Sequence, residues 1–307
     1  MKKIMTAVLI VTMLILVPII SQAEEPAVTG AFLAGEKSNP VEQKQEEDKV
    51  TGEIAASVLS AYIWRGQEMT RHSIVIQPSV TAGYKGFTAN VWGNLDTNPY
   101  SAVDDEYSSN FTETDITFSY MRKWGIVQVG GGYIYYGLAG SAPGGEDLLD
   151  SQELFFSLGL DTILAPTLTV YKEIDHYHQW YATLGVSHTF ALQERFGLKI
   201  AAQASYLKSE DETTYPEFDS NSLATKNKFN NFHDAVASIA LPISVTDKIT
   251  ITPLLNFVFP LSDDAKYEMK ARGLQGTRKT FGRRVVDDPA DRQSTYLYGG
   301  VALSFAF

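Results

Sequence analysis

The sequence predicts an all-β fold, a transmembrane antiparallel up-and-down β-barrel of about 12 strands. Three observations lead to this prediction: segments of alternating apolar and polar residues, connections that are alternately short and long, and aromatic residues near the segment ends. A strand with lipid on one side and water on the other needs an apolar side chain at every second position. After residue 23 the chain has no apolar run of the roughly 18 residues that a helical span requires.

Composition excludes several classes of protein. The chain has 307 residues, of which 44% are hydrophobic and 20% charged, so it is too apolar for a disordered protein. Its net charge is -11, whereas a general nucleic-acid binder is normally basic, so no nucleic-acid partner is expected. It has no cysteine, which excludes disulfide scaffolds, thiolate metal sites and thiol catalysis.

The N-terminus has the pattern of an export signal. Lys2 and Lys3 precede an apolar stretch over 4–20, and small residues follow at 21 and 23, which predicts a cleaved signal peptide over 1–23. An uncleaved membrane anchor is the alternative. Residues 24–50 are polar and predict a disordered periplasmic leader, with a folded plug inside a pore as the alternative. The barrel is assigned to 51–307, and the bacterial outer membrane is the expected location.

Alternation is clear in the segment from Phe87 to Asp96. Its odd-numbered positions are small or apolar, and its even-numbered positions include Asn90, Trp92 and Asn94. Helical periodicity does not fit such segments. Twelve of them are predicted: 52–64, 73–84, 86–96, 112–123, 126–136, 152–161, 166–174, 178–190, 196–207, 232–242, 248–260 and 294–307.

The connections between these segments sort by length. Short turns at 84–87, 123–125, 163–166, 193–195 and 245–248 alternate with the polar connections 65–72, 97–111, 137–151, 175–177, 208–231 and 261–293, of which only 175–177 is short. Short turns at one end and long loops at the other are typical of outer-membrane barrels. A first strand that runs to residue 64 places Tyr62 and Trp64 in an aromatic girdle at the long-loop end.

The last segment ends in an alternating strand with Phe305 and Phe307 on its apolar face. This ending resembles the C-terminal signal that outer-membrane barrels present to the barrel-assembly machinery, which is therefore an expected partner. Outer-membrane lipid and lipopolysaccharide are the others expected at the outer surface, together with small solutes in the lumen.

Two stretches carry a family resemblance: Ser-Ala-Tyr-Ile-Trp-Arg-Gly at 60–66 and Tyr-Lys-Gly-Phe-Thr-Ala-Asn-Val-Trp-Gly-Asn at 84–94. They resemble the first hairpin of the TorF-like family of porins, and the detailed match covers about the first quarter of the barrel. The resemblance implies a membrane barrel with porin activity. It implies no substrate and no catalytic residue.

Inward positions of an open barrel face water and set its selectivity. By alternation the candidate pore-lining residues are Glu53, Asn90, Trp92, Asn94, Glu113, Asp115, Glu153, Glu173, Lys199 and Gln203. Acids outnumber bases among them, which predicts a mild cation preference. Arg278, Lys279, Arg283 and Arg284 in the last long loop form a possible constriction if that loop folds inward; outside, they would meet lipopolysaccharide phosphates.

Two functions other than a porin are open at this stage. A barrel enzyme that hydrolyses lipid or peptide needs a nucleophile next to a base. Because strand neighbours point to opposite faces, His233 and Asp234 are not expected to bond to each other. Asp175, His176 and His178 lie in a loop, where this limit does not apply; a metal or acid–base site is one alternative there, and a solvated loop is the other. No catalytic residue, metal or cofactor is expected. A closed structural or adhesion barrel would instead have its lumen blocked by Trp92, Phe155, Tyr171 and the last loop.

Overall fold

The computed structural model describes residues 49–70, 73–97, 110–139, 149–273, 278–281, 284–287 and 292–307. The predicted signal peptide and all but the last two residues of the predicted leader lie outside this part of the chain. Arg283 and the side chains of Arg278, Lys279 and Arg284 also lie outside it.

The chain forms a closed antiparallel β-barrel, as the sequence predicts. The strands are β1 Thr51–Leu59, β2 Ile63–Trp64, β3 Gln67–Glu68, β4 Val75–Tyr84, β5 Phe87–Asp96, β6 Asn110–Trp124, β7 Val127–Leu138, β8 Ser151–Leu160, β9 Thr167–Glu173, β10 Gln179–Gln193, β11 Phe196–Ser209, β12 Pro216–Phe218, β13 Ala224–Lys228, β14 Asn230–Ala240, β15 Ile243–Ser244, β16 Ile249–Pro260, β17 Arg278–Phe281, β18 Arg284–Asp287 and β19 Tyr296–Ala306. One helix, α1, spans Asp263–Arg272 in the described residues.

Closure comes from pairing of the first and last strands, with Glu53 opposite Ala306 and Leu59 opposite Gly300. The wall order is β1, β4 to β11, β14, β16 and β19, and the short β15 pairs with β11 and β16 beside β14. The wall therefore has 12 strands in the described part of the chain, which confirms the prediction. Full closure leaves no unpaired sheet edge, as a barrel in lipid requires.

The outward face of the wall is apolar. Its exposed side chains include Ile54, Val58, Val80, Val91, Phe118, Leu154, Phe156, Leu184, Ile239, Leu255, Val301 and Leu303. Water would not favour so wide a band of exposed apolar surface, whereas hydrocarbon would. Across the described residues, no helix has the length and apolar character needed to span a bilayer.

The first wall strand is shorter than predicted. β1 ends at Leu59, and the chain then enters the lumen as a two-stranded hairpin of β2 and β3. The turn residues Arg65 and Gly66 have φ of 46° and 73°, the paired left-handed geometry of a tight hairpin turn, which a continuing strand cannot adopt. Tyr62 and Trp64 therefore do not belong to the outer girdle, and Tyr62 is buried. We call Ile63–Glu68 the lumenal hairpin.

The last long connection contains α1, which the alternation pattern did not predict. Ser262 caps it by accepting a hydrogen bond from the backbone of Ala265, and acidic residues in the first turn suit the helix dipole. Ala265, Glu268 and Met269 on the helix are fully buried. Met269 belongs to one buried cluster with Tyr62 and Ile63 of the first loop. Together, the lumenal hairpin and α1 fill the long-loop half of the lumen, and we call them the plug.

Candidate functional site in the barrel lumen

The ten predicted pore-lining residues all lie on the inward register of the wall strands. Seven of them are buried: Asn90, Trp92, Asn94, Glu113, Asp115, Glu153 and Glu173. Glu53, Lys199 and Gln203 are half-buried, and the first two lie toward the short-turn end. The register thus brings the ten to one surface, but most of that surface meets the plug or neighbouring wall groups. Their role in lining a pore stays a prediction.

Trp92 packs against Tyr62, the residue just before the lumenal hairpin. Its ring lies 5.7 Å from that of Tyr62, measured between centroids, and only 8% of the residue is exposed. Trp64 makes a similar edge contact of 6.0 Å with Tyr136 on the wall. The indole of Trp92 is therefore covered by a residue that precedes the hairpin in the chain. Trp92 thus packs against other side chains inside the lumen. In this conformation its ring has no exposed face on which a sugar could stack.

Arg65, at the tip of the lumenal hairpin, reaches the opposite wall. Its two terminal nitrogens each donate to a carboxylate oxygen of Glu153 at 2.7 Å, and both side chains are almost fully buried. The guanidinium carbon lies 4.3 Å from the ring centre of Tyr181 and 5.0 Å from that of Tyr171. Bidentate ion pairing with ring stacking is the geometry that suits a planar guanidinium. We call Glu153, Tyr171 and Tyr181 the arginine cage.

The arginine cage is fixed by the wall. Tyr136 on β7 donates to Glu153 Oε2 at 2.9 Å, and Tyr181 donates to Asp234 at 2.9 Å. The two tyrosine rings of the cage lie 6.2 Å apart on paired residues of β9 and β10. The cage is thus held by wall contacts as well as by its contact with Arg65.

The helical part of the plug is anchored through Glu268. Its carboxylate pairs with Arg272 Nε at 2.7 Å, lies 3.0 Å from His233 Nε2, and accepts a hydrogen bond of 3.4 Å from Gln67. Burial alone would raise the pKa of this carboxyl. His233 and Arg272 outweigh burial and hold the pKa of Glu268 below its ordinary value. Gln67 also bonds to Tyr215, so the hairpin and the helix share one polar network.

His233 and Asp234 contact each other, against the expectation from alternation. His233 Nδ1 lies 2.9 Å from Asp234 Oδ1, and both side chains are buried in the lumen. The reason is a β-bulge in β14: His233 and Asp234 together lie opposite the single residue Ser205 of β11, so the alternation of faces breaks on β14. Sequence reasoning assumed a regular strand here and therefore missed the pair.

This cluster lacks the geometry of a hydrolase. Ser205 Oγ donates to Asp234 Oδ1 at 2.6 Å, and both ring nitrogens of His233 are occupied by the carboxylates of Asp234 and Glu268. A hydrolytic serine needs a hydrogen bond to the base itself. The contacts of the cluster are those of a buried polar network that joins the wall to α1.

Glu173 has a local structural role. Its carboxylate accepts hydrogen bonds from the backbone nitrogens of residues 175 to 178 at 2.6 to 3.1 Å, and another from Ser151 Oγ at 3.0 Å. These bonds fix the one short turn at the long-loop end. His176 Nδ1 lies 3.2 Å from Asp175 Oδ1 in this turn, and both side chains are partly exposed. No cluster of three or more metal-ligating side chains is found among the described residues.

Asp115 is the least satisfied group of the lumen. It is fully buried, and neither carboxylate oxygen has a hydrogen-bond partner. The register places it between Trp92 and Tyr136 on the neighbouring strands. Asn90 Oδ1 on β5 and Thr117 Oγ1 on β6, the strand of Asp115, also lack partners. This part of the wall therefore presents unused acceptors, which favour a positive charge.

The short-turn half of the lumen differs from the long-loop half. Its inward side chains are small or polar and half-exposed, and they include Thr81, Thr88, Ser119 and Gln203. A small cavity of about 20 Å³, room for about one water molecule, lies against Arg65, Tyr181, Gln203 and Asp234. Arg65 and Tyr181 therefore border a small space inside the barrel.

No family model and no curated protein matches the chain. Solved structures resemble its fold. The NanC porin is 12% identical, with a TM-score of 0.47 over 83% of this chain and 98% of its own. Outer membrane phospholipase A from Escherichia coli is 11% identical, with a TM-score of 0.39 over 83% and 95%. An anion-selective porin from Comamonas acidovorans is 9% identical, with a TM-score of 0.32 over 84% and 99%. These proteins differ in function, so the function of this chain is argued from its side chains.

Proposed function

We propose that the protein is an outer-membrane channel for passive diffusion of small solutes, closed by its plug in the conformation described. The observation that carries the proposal is the nature of the plug. The lumenal hairpin forms its own two-stranded sheet, separate from the wall, and Arg65 contacts the far wall through its side chain. A segment held in this way can withdraw without opening the wall.

The membrane location rests on two supports. The exposed apolar band matches the outer surface of a membrane barrel. The export signal predicted at 1–23 and the terminal Phe305 and Phe307 fit delivery to a bacterial outer membrane. Phe305 is exposed on the outward face, and its ring stacks with that of Phe307 at 6.0 Å. Membership of the TorF-like family remains a hypothesis based on residues 60–66 and 84–94.

The proposed selectivity is a mild preference for cations. Asp115 has no hydrogen-bond partner, and Glu113 lies two residues away on the same inward face. Glu53 and Lys199 contribute opposite charges nearer the short-turn end. Once the plug withdraws, the wall exposed in the long-loop half would be acidic, and acidic walls attract cations.

The test is single-channel recording of the refolded mature barrel in a planar bilayer with a potassium chloride gradient. We expect a low basal conductance with discrete openings and a reversal potential of cation-preferring sign. The variant Arg65→Ala, which lacks the contact with Glu153, should open more often. A reversal potential of the opposite sign would refute the cation preference alone.

A closed structural barrel is the second candidate, because the predicted blocking residues are buried. Trp92, Phe155 and Tyr171 are each no more than 8% exposed, and α1 lies in the same half of the lumen. In that case neither the wild type nor Arg65→Ala would conduct, although both would show the heat-dependent gel mobility of a folded barrel. Discrete openings in either protein would exclude this candidate.

A further inference from the structure

The arginine cage has the composition of a binding site whose ligand is supplied by the chain itself. A carboxylate and two tyrosine rings come from the wall strands β8, β9 and β10, and the guanidinium comes from the lumenal hairpin. We propose that the cage is a binding site for guanidinium-bearing solutes, and that Arg65 occupies it while the channel is closed. This inference rests on the proposed channel function and names its solute class.

The chemistry of the cage selects a guanidinium over an ammonium. Two parallel bonds of 2.7 Å join Arg65 to the two oxygens of Glu153, a fork that an ammonium group cannot match. The faces of Tyr171 and Tyr181, with that of Trp64, lie within 5.0 Å of the guanidinium carbon. A planar cation gains from these faces by stacking as well as by charge.

The arginine cage can keep its arrangement when Arg65 is removed. Glu153 keeps its hydrogen bond from Tyr136, and Tyr181 keeps its bond to Asp234. The small cavity beside Arg65 and Tyr181 adds to the space that the Arg65 side chain vacates when the hairpin withdraws. Once Arg65 leaves, the charge of Glu153 is buried without a cationic partner, so an incoming cation is strongly favoured.

Competition with a tethered ligand explains why the closed state is stable. Arg65 sits at the tip of a short loop, so its effective concentration at the cage is high, on the order of millimolar or more. A free solute therefore binds weakly to the wild type and more tightly to a protein without Arg65. Binding of solute and return of the hairpin exclude each other.

The test uses Arg65→Ala in detergent micelles, with ethylguanidinium as the probe because it reproduces the end of the arginine side chain. We expect saturable binding by isothermal titration calorimetry. Binding should be at least about tenfold weaker to the wild type, in which Arg65 fills the cage, and about tenfold weaker for ethylammonium, which lacks the fork; tenfold corresponds to about 1.4 kcal/mol.

The matched control is the double variant Arg65→Ala with Glu153→Gln, which keeps the size of the cage and removes its charge. Binding should be lost. If that variant does not fold, Arg65→Ala with Tyr171→Leu replaces it, and affinity should fall several-fold. Equal binding of ethylguanidinium and ethylammonium to Arg65→Ala, or binding that is indifferent to Glu153 and Tyr171, would overturn the proposal.

Bilayer recordings of Arg65→Ala separate this inference from the channel function. Conductance without ethylguanidinium binding would support the channel function and refute the proposal that its solutes carry a guanidinium. Saturable, Glu153-dependent binding without conductance would support the guanidinium-binding site and refute the channel function.

Discussion

Glu153 and Asp115 are two buried carboxylates of the same wall with opposite surroundings. Glu153 receives two bonds from Arg65 and one from Tyr136, whereas neither oxygen of Asp115 has a partner. We predict that Glu153→Gln destabilises the barrel by about 3 kcal/mol, because it removes the carboxylate that accepts both bonds of the buried guanidinium. Asp115→Asn replaces a buried carboxyl group whose oxygens have no hydrogen-bond partner, so it should be neutral or stabilising by about 1 kcal/mol.

Urea unfolding followed by tryptophan fluorescence in micelles measures both variants. The two changes are matched, since each replaces a carboxylate with its amide at a buried lumenal position. A loss of stability in Asp115→Asn as large as that in Glu153→Gln would mean that Asp115 has a partner that stabilises the barrel as much as Arg65 does through Glu153.

At the residue scale, sequence alone predicts orientation but not partners. Period-two alternation places Glu153 and Asp115 on the inward face, because every regular strand has that period. It cannot show that Arg65 crosses the lumen to Glu153, which depends on a loop conformation. It also fails for His233 and Asp234, because a bulge changes the local period.

Gly66 closes the lumenal hairpin in a backbone conformation that other residues avoid. Its φ is 73°, and a Cβ added there would lie 3.1 Å from Asp234 Cβ and 3.2 Å from Met269 Sδ. Gly66→Ala should therefore cost more than the usual penalty of about 1 kcal/mol for such a turn position. The added methyl group would press the hairpin away from α1, so channel openings should become more frequent.

Gly125 provides the control for Gly66. Its φ is 57°, also left-handed, but a Cβ added there meets nothing within 4 Å. Gly125→Ala should show only the backbone penalty in urea unfolding and no change in opening frequency. Equal effects of the two substitutions on both measurements would show that the contacts of Gly66 with Asp234 and Met269 do not matter for the plug.

At the scale of elements, the wall strands are predictable and the plug is not. Each wall strand must place apolar side chains toward lipid at alternate positions, so an alternating sequence indicates a wall strand. This rule fails at the lumenal hairpin and the residue before it. Tyr62 and Trp64 follow the alternating pattern of a wall strand, but they pack inside the lumen. The signals that mark the plug are local: the Arg65-Gly66 turn for the hairpin, and Ser262 followed by two acids for α1.

At the scale of the whole molecule, the outer face of the barrel is uniformly apolar, whereas the two halves of its lumen differ. The outward apolar band follows from the membrane, whereas the long-loop half of the lumen is filled by residues from the first and last connections. These connections flank the strands that close the barrel, β1 and β19. The plug is therefore attached next to the closing seam and reaches the far wall through Arg65.

The polar network that joins the plug to the wall predicts acid sensitivity of the closed state. Glu268 faces His233 on β14, Arg272 on α1, and Gln67 and Tyr215 from the two neighbouring loops. Its pKa lies below the ordinary value of 4.5, although burial alone would raise it. A carboxyl with a depressed pKa stabilises the folded arrangement above its ordinary pKa, and this contribution is lost as the pH falls through the folded value.

We therefore expect the plug to stay closed from pH 7 down to about pH 4.5 and to open progressively at lower pH, because protonation neutralises the carboxylate that Arg272 and His233 share. Each unit by which the pKa is depressed changes the closing equilibrium about tenfold. Open probability recorded from pH 7 to pH 3, with circular dichroism to verify the barrel, measures the effect. Glu268→Gln is the matched control and should open frequently already at pH 7, with little further change in acid. An acid response as steep in Glu268→Gln as in the wild type would place the sensitive carboxyl elsewhere in the lumen.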